Sequence, residues 1–518
     1  MVKAEAKFFN FHQISKLPRL AWCAVVHGDK KHIDVFHGPH VEIRGSFFVE
    51  GAWDKSFEYG GFDDSTVFMG SGGKIIDDKV LFAAPCHTLE RLYLLHSGPK
   101  VFLSNSMIFL LNKSKFEFDI NYIPYHSAII SIQLGTKDYT RSVPTLNNNR
   151  IFFYSHCNIQ IDKELNIKEL KKKSPPTFSD FASYKGFLIS KLKGLSENAN
   201  AESRIIKYSL LGTVSSGYDS AACAALGREI GCEKVITLSK GQKCDSGAEI
   251  AAALGYTNIK KYDQKEYMNI PGFPEAEFVA TGVLGEDMVM APFEQDMERS
   301  ILLTGFHGDR CWRLSQEQVT PYIVRGDPSG SDMGEFRLRV GFIHAPIPFW
   351  GAAKHQEIRN ISNSVEMRPW VLGRNFYDRP IPRRIVEESK VARHLFGQKK
   401  QYIAVKLWIS LKSMKSKMTP QSFHDFIKFY KAHKKQRTWA KQIYYRFMYS
   451  FYFTYLLFKK LVTLLLGIPL HVAFTFSPWW FKFTNSPDAP SFLLHWGKSV
   501  IENRYAINDE NFQEKDQN

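Results

Sequence analysis

Residues 205–230 read as a strand that stops, a short polar turn and a helix that begins. Residues 205–214 are strand-like. Ser215-Ser216-Gly217-Tyr218-Asp219-Ser220 is small and polar apart from Tyr218, and residues 221–230 are alanine-rich with helical spacing. The pattern continues on both sides. Residues 181–195 have helical spacing, residues 234–238 form a second strand, and residues 248–254 a second helix. Parallel neighbours need a long return connection, usually a helix, so this alternation predicts an α/β unit built on a parallel sheet.

The turn at 215–220 has a physical logic of its own. Small side chains let backbone N–H groups approach an anion, serine hydroxyls add donors, and a helix start contributes the positive end of its dipole. Asp219 would repel a bare phosphate, so it makes sense as a ligand for Mg²⁺ bridging phosphates. The loop is not a Walker A motif, because no Gly-Lys-Ser/Thr follows it. An ordinary strand-turn-helix without a ligand is the plainer reading.

The stretch resembles the Ser-Gly-Gly-x-Asp-Ser loop of the PP-loop (N-type) ATP pyrophosphatases, with Ser216 where that family has its first glycine. Two further segments resemble the asparagine synthetase family within that group. Residues 235–241 look like its next strand and adenosine loop, followed by Asp245, Glu249 and Leu254-Gly255. Residues 300–309, ending Thr304-Gly305-Phe306-His307-Gly308-Asp309, look like its pyrophosphate loop. Arg368-Pro369, Asp378-Arg379-Pro380 and Lys399-Lys400 resemble the segment that closes the site with a lysine. The likeness covers residues 180–410.

The resemblance implies a synthetase domain over residues 179–412, with a fold like the adenine nucleotide α-hydrolases. It implies that ATP and Mg²⁺ are cofactors. Ser215, Ser216, Gly217, Asp219 and Ser220 would bind phosphate, and Ser239 the nucleotide. Thr304 and Gly305 would contact pyrophosphate, Asp219 and Asp309 would hold the metal, and Lys399 or Lys400 would stabilise the reacting acyl-phosphate. Each lysine also reads as a solvated helix end. Glu286 and Asp287 are a candidate acidic pair on the substrate side.

Residues 1–165 read as short strands between glycine and polar turns, with strands expected at 20–26, 41–50, 81–84 and 101–104. This is a β-rich α+β sandwich, which the resemblance makes Ntn-like and glutaminase-like. That family's glutaminase needs an N-terminal cysteine, and here Val2 and Lys3 follow Met1. Glutamine hydrolysis by this chain is therefore not expected. The charged run at 162–179, ending in Pro175-Pro176, marks a boundary. Phe306, His307 and Arg310 depart from the family's second loop. Arg310 either holds pyrophosphate or marks a degenerate site.

Seven cysteines, widely spaced and without a Cys-x-x-Cys pair, argue against a disulfide framework or a cysteine zinc site. Cys86-His87 is not expected to act as a dyad, because neighbours on a strand point to opposite faces. Residues 1–18 lack the apolar core of a signal peptide, so a cytoplasmic location is expected.

The chain of 518 residues carries a formal charge of +16, and residues 381–450 alone hold 17 Lys+Arg against three Asp+Glu. The basic region 413–518 goes on through aromatic and aliphatic runs at 447–458 and 461–476 to Trp479-Trp480. Neither run has the ~18–20 clean apolar residues of a spanning helix. Two readings stand: a buried helical hairpin, or a peripheral contact with an anionic membrane face.

Three function classes follow. The first is an ATP-dependent amide ligase or amidotransferase, forming AMP and pyrophosphate. It would adenylate a small-molecule, peptide or saccharide carboxylate and pass it to ammonia or an amine. β-Lactam synthetases and lasso-peptide cyclases are similar proteins without the glutaminase cysteine. The second is a PP-loop enzyme acting on tRNA, favoured by the basic segment but not by the second loop, so no specific nucleic acid partner is expected. The third is a catalytically degenerate, membrane-associated protein.

Overall fold

Both faces of the strand Trp22–His27 are apolar, and that places it between two layers. Trp22, Ala24 and Val26 point into one core, while Cys23 and Val25 point into another. The structure, a computed structural model, describes residues 7–241, 246–315, 319–373, 377–398, 404–405, 407, 410–466 and 488–507. Its first strands are β1 (Phe8–Gln13), β2 (Trp22–His27), β3 (His32–His37), β4 (Glu42–Arg44), β5 (Phe47–Trp53), β6 (Phe68–Ile76) and β7 (Lys79–Ala83). There follow β8 (Leu92–Ser97), β9 (Lys100–Ser104), β10 (Ser142–Pro144), β11 (Arg150–Tyr154), β12 (Cys157–Ile161) and β13 (Ile167–Lys171).

These strands form a seven-stranded sheet, β1-β3-β2-β9-β8-β11-β10, and a six-stranded sheet, β13-β12-β7-β6-β5-β4. Every pairing is antiparallel except β1 with β3. The core between the sheets is aromatic: Trp22 lies edge-on to Phe48 at 5.0 Å and stacked on Phe82 at 5.9 Å.

The expected boundary needs correcting. Its charged residues are partly an edge strand, because β13 pairs with β12 and carries the sheet beyond residue 165. Lys168, Glu169 and Lys171 are exposed on it. Charge on an edge strand blocks further strand addition, and this is why the segment looks like a linker in sequence. Only residues 172–179 connect, and Asp180 then caps the helix Phe181–Ala199 with a capping box to Ser183.

A separate parallel sheet follows, from β14 (Ser209–Thr213), β15 (Lys234–Ser239), β16 (Asn258–Asp263), β17 (Ser300–Thr304) and β18 (Ile343–Pro346). Its order is β16-β15-β14-β17-β18, with every pair parallel. The protein is thus a mixed α/β chain with an antiparallel region and a parallel sheet. The strand expected at 205–214 starts only at Ser209, and Ile205 is exposed.

A buried polar thread ties the halves together. The Trp22 indole N–H donates to Ser71 Oγ at 2.9 Å, and Ser71 Oγ donates to Glu50 Oε1 at 2.7 Å. Arg337, in the helix Gly334–Val340, donates to both Glu50 oxygens at 2.7 and 3.1 Å and pairs with Glu90 at 2.9 Å. Burial pushes the Glu90 carboxyl up to about 7 against the pull of Arg337. Glu50→Gln is expected to cost about 1–3 kcal/mol in urea unfolding, because it weakens charge-assisted bonds in a dry interior. An unchanged midpoint would show that the thread does not hold the halves.

The C-terminal region divides. Residues 489–507 join the main core: Trp496 Nε1 donates to Asp425 Oδ2 at 2.9 Å, and Tyr505 stacks on Phe109 at 5.2 Å. The helix Trp439–Leu466 instead leaves large apolar residues exposed and takes in the first run and the start of the second, while the rest of the second run, 467–476, lies outside the described residues, as does Trp479-Trp480. Among the described residues no helix is long and apolar enough to cross a membrane.

Candidate functional site

β14 ends at Thr213, and the helix Tyr218–Glu229 begins five residues later. The turn closes on itself through hydroxyls. The Ser215 N–H donates to Ser220 Oγ at 3.0 Å, the two hydroxyls lie 2.6 Å apart, and the Gly217 N–H donates to Ser215 Oγ at 3.3 Å. Gly217 stands at the cap position, so no side chain caps this helix start. A helix start without a side-chain cap is suited to an anion.

β17 delivers the second loop to the same place. A Cβ on Gly305 would lie 2.7 Å from Ser220 N, and one on Gly308 would lie 2.5 Å from Asp219 Cγ. Only glycine permits this approach of the two loops. The chain runs outward from β14 through β15 to β16, then crosses back to β17 on the other side of β14. The loops therefore flank the point where strand order reverses, at the carboxyl ends of the strands, where open α/β sheets bind ligands.

A cavity of about 280 Å³ opens there, near the lower end of the ~300–1,000 Å³ of ligand sites. One wall is apolar, from Ile236, Leu238, Val289, Met290 and Phe293. The other is polar, from Ser215, Asp219, Ser220, Asp309, Asp327 and Arg379. This polarity split suits a ligand with a flat apolar end and an anionic end.

Arg379 forms an ion pair with Asp219. Burial disfavours charge on the guanidinium, but Asp219 and Asp309 outweigh it and hold its pKa above the ordinary arginine value. Beside the cavity, Gly330 N–H donates to Asp287 Oδ2 at 2.6 Å, and the buried Asp287 and Asp332 carboxyls share a hydrogen bond. Burial and the facing charge of Asp287 push Asp332 well above the ordinary carboxyl value. His307 has a left-handed backbone (φ 77°), stacks on Phe349 at 4.5 Å and lines the cavity. Burial, reinforced by Arg325, His355 and Arg310, keeps it neutral.

The expected residues fare unequally. Ser215, Gly217, Asp219, Ser220, Thr304, Gly305 and Asp309 all line the cavity. Thr304, however, turns its hydroxyl to His344 Nε2 at 2.9 Å. Ser216 is absent from the lining, and its carbonyl accepts from Gly397 N–H at 2.7 Å. Ser239 is a correction. It is absent from the lining, and its hydroxyl donates to the Tyr262 carbonyl at 3.3 Å. Arg310 also turns away from the cavity, toward the Arg325 carbonyl at 3.5 Å. Of the acidic pair, Asp287 lines the cavity and Glu286 does not. Lys399, Lys400 and Asp245 lie outside the described residues. Arg379 and His307 lay in segments likened to the site but had no assigned role there, and Asp327 was not expected at all. The Asp378-Arg379-Pro380 run was visible, but nothing in sequence pairs an arginine with an aspartate 160 residues away.

Cys86 and His87 lie in a loop after β7, not on a strand, and His87 Nδ1 accepts from Leu89 N–H at 3.2 Å. The six described cysteines are buried and unpaired. Cys23 is fully buried and burial pushes its thiol up to about 12, so it is no nucleophile. Among the described residues, the one His/Asp group close enough to share a metal is His27, His32 and Asp34. Asp34 Oδ1 already receives Asn10 at 2.8 Å and His12 at 2.9 Å, and Oδ2 meets His27 at 2.9 Å. The carboxylate is satisfied without an ion.

No family model matches the chain, and no curated protein matches it.

Proposed function

We propose that the chain is an ATP-dependent amide ligase of the asparagine-synthetase-like type, forming AMP and pyrophosphate. The glutaminase-like reading of the sandwich and the nucleotide-hydrolase-like reading of the parallel sheet belong to this proposal. One observation carries it: the serine-rich helix start at 215–220 and the glycine loop at 304–309 meet across a half-apolar cavity at the strand-order reversal.

In this reading the adenine lies against Ile236, Leu238 and Phe293. The phosphates meet the Ser215 and Ser220 hydroxyls and the helix start. Asp219 and Asp309 suit Mg²⁺, which takes one or two carboxylates and completes its shell with phosphate oxygens and water. When bound, Mg²⁺ neutralises charge on the phosphates. The substrate carboxylate attacks the α-phosphorus, and the bond to the bridging oxygen breaks. Pyrophosphate leaves, and an acyl-adenylate remains. An amine then attacks the acyl carbon, the bond to AMP breaks, and the amine gives up a proton. Arg379 offers positive charge to the departing pyrophosphate, and the protein's contribution is placement and charge. Burial and the neighbouring cations make His307 a weak base, so the amine proton passes to water while His307 stays a neutral part of the cavity wall. Lys399 and Lys400 remain the proposed lysines for the acyl-phosphate.

The Asp219–Arg379 pair also supports a second reading, a degenerate site whose metal-side carboxylate is permanently closed by arginine. ATP–pyrophosphate exchange over a panel of carboxylic acids separates them. Carboxylate-dependent exchange supports the ligase. Absence of both exchange and calorimetric ATP binding overturns it in favour of the degenerate reading.

A further inference from the structure

We infer that the helix Trp439–Leu466 is a docking surface for an anionic lipid bilayer, which it meets lengthwise in the headgroup region. This goes beyond the ligase reading and does not depend on it. The helix has 28 residues and so runs about 42 Å at 1.5 Å per residue. Ile443, Phe447, Phe451, Phe458, Leu461 and Leu465 are all more than half exposed, Phe447 at 65% and Leu465 at 73%. At about 100° per residue these positions fall within one arc of roughly 80°. They form a single apolar stripe along the helix. Lys441 and Arg446 are exposed and fall outside that arc on either side.

The stripe is held at one end by the folded body. The Arg437 guanidinium donates to the Ile120 carbonyl at 2.7 Å and to Ser491 Oγ at 2.6 Å, and lies 3.6 Å over the Phe492 ring. Lys441 pairs with Asp119 at 3.8 Å and Arg446 with Asp488 at 3.1 Å. The preceding helix, Pro420–His433, and the turn after it present Lys428, Lys431, Lys434 and Lys435 to solvent.

Charge complementarity selects the occupant. Lysines beside an aromatic and aliphatic stripe match an acidic headgroup layer over acyl chains. Cores of protein interfaces are depleted of lysine, and RNA would leave the apolar stripe unused. Tryptophan suits the headgroup level, and Trp439 stands at the entry end, 75% exposed. The helix is not apolar enough to cross the bilayer, which fits contact rather than insertion.

Sedimentation of the full chain with phosphatidylcholine vesicles, and with mixed phosphatidylcholine–phosphatidylglycerol vesicles, tests this. The wild type is expected to pellet with the anionic vesicles and much less with the neutral ones. Phe447→Glu with Phe451→Glu should reduce partitioning at least about tenfold, since it puts charge into the buried face. Lys434→Glu with Lys435→Glu should weaken binding to anionic vesicles alone, with a deficit that shrinks as salt rises. An unchanged thermal melt in each variant keeps misfolding out of the comparison. The inference is overturned if the wild type stays in the supernatant with both vesicles, the result expected if residues 467–487 cover the stripe. It is equally overturned if the phenylalanine variants bind like wild type. It also fails if the stripe proves to be a dimer contact, dispersed by those variants in ultracentrifugation without any vesicle binding.

Discussion

Asp219→Ala is expected to reduce carboxylate-dependent ATP–pyrophosphate exchange by at least about 10³-fold, and Gly308→Ala to reproduce most of that loss. A preorganised charge in a water-poor site is worth roughly 10²–10³ in rate. Asp219 has a second task, because it holds the buried Arg379. Removing it leaves a cation in the cavity wall with Asp309 as the acid beside it. Gly308 tests the geometry without touching an ionisable group. Its new Cβ would lie 2.5 Å from Asp219 Cγ and 2.7 Å from Oδ1, closer than real contacts allow. Either the carboxylate swings off Arg379 or the two loops part. Arg379→Lys separates the two functional readings. Lysine keeps the charge but loses the planar fork, so a ligase should retain part of its exchange. Exchange equal to wild type in Gly308→Ala would show that the contact between the loops plays no part in the reaction.

The parallel sheet was legible because strand and helix differ in period, and residues 181–254 switch between the two periods cleanly. The 215–220 turn was legible because its residue types are unusual between a strand and a helix. What escaped was set by distance in sequence. β13 carries edge-strand charges that mimic a linker, and only its register with β12 reveals a strand. Ser239 was assigned to the nucleotide from the resemblance of residues 235–241 to an adenosine loop, but its hydroxyl turns to the Tyr262 carbonyl, away from the cavity. The basic count at 381–450 could not separate Arg383, buried against Asp378 at 3.0 Å, from the exposed Lys434 and Lys435. The apolar tail likewise divides into a core segment at 489–507 and an exposed stripe. That division depends on which partner each residue meets, and composition does not encode it.

Acid is expected to unfold the protein cooperatively with a midpoint near pH 4.5–6, above the range where carboxylates alone would titrate. The cause is histidine. Burial holds ten described histidines below their ordinary pKa: His37, His40, His87, His96, His126, His156, His307, His344, His355 and His495. Burial pushes His126 and His156 down to about 4. His344 and His495 fall to about 3, with Arg337 and Arg325 adding to the effect at His344 and Arg437 and Lys498 at His495. The sign follows directly. In the unfolded chain these rings take up protons near pH 6.5, whereas in the fold His126, His156, His344 and His495 stay neutral until about pH 3–4 and the others are held below 6.5. Their stabilisation is complete above 6.5 and drains away as pH falls. Five carboxyl groups work the other way, because burial raises Glu90, Glu275, Asp287, Asp332 and Glu335, and they favour the fold as pH drops from about 7 toward 4. The histidines outnumber them. Each uncompensated histidine removes about 1.4 kcal/mol per pH unit, so two or three suffice against a typical total of roughly 5–15 kcal/mol. Circular dichroism melts from pH 8 to pH 4 measure the slope. His495→Phe fills the same space between Phe118 and Tyr125 and is expected to move the acid midpoint downward by several tenths of a pH unit. A melting temperature that stays level from pH 7 to pH 4.5 would mean that the buried rings find protons, or water, without unfolding the chain.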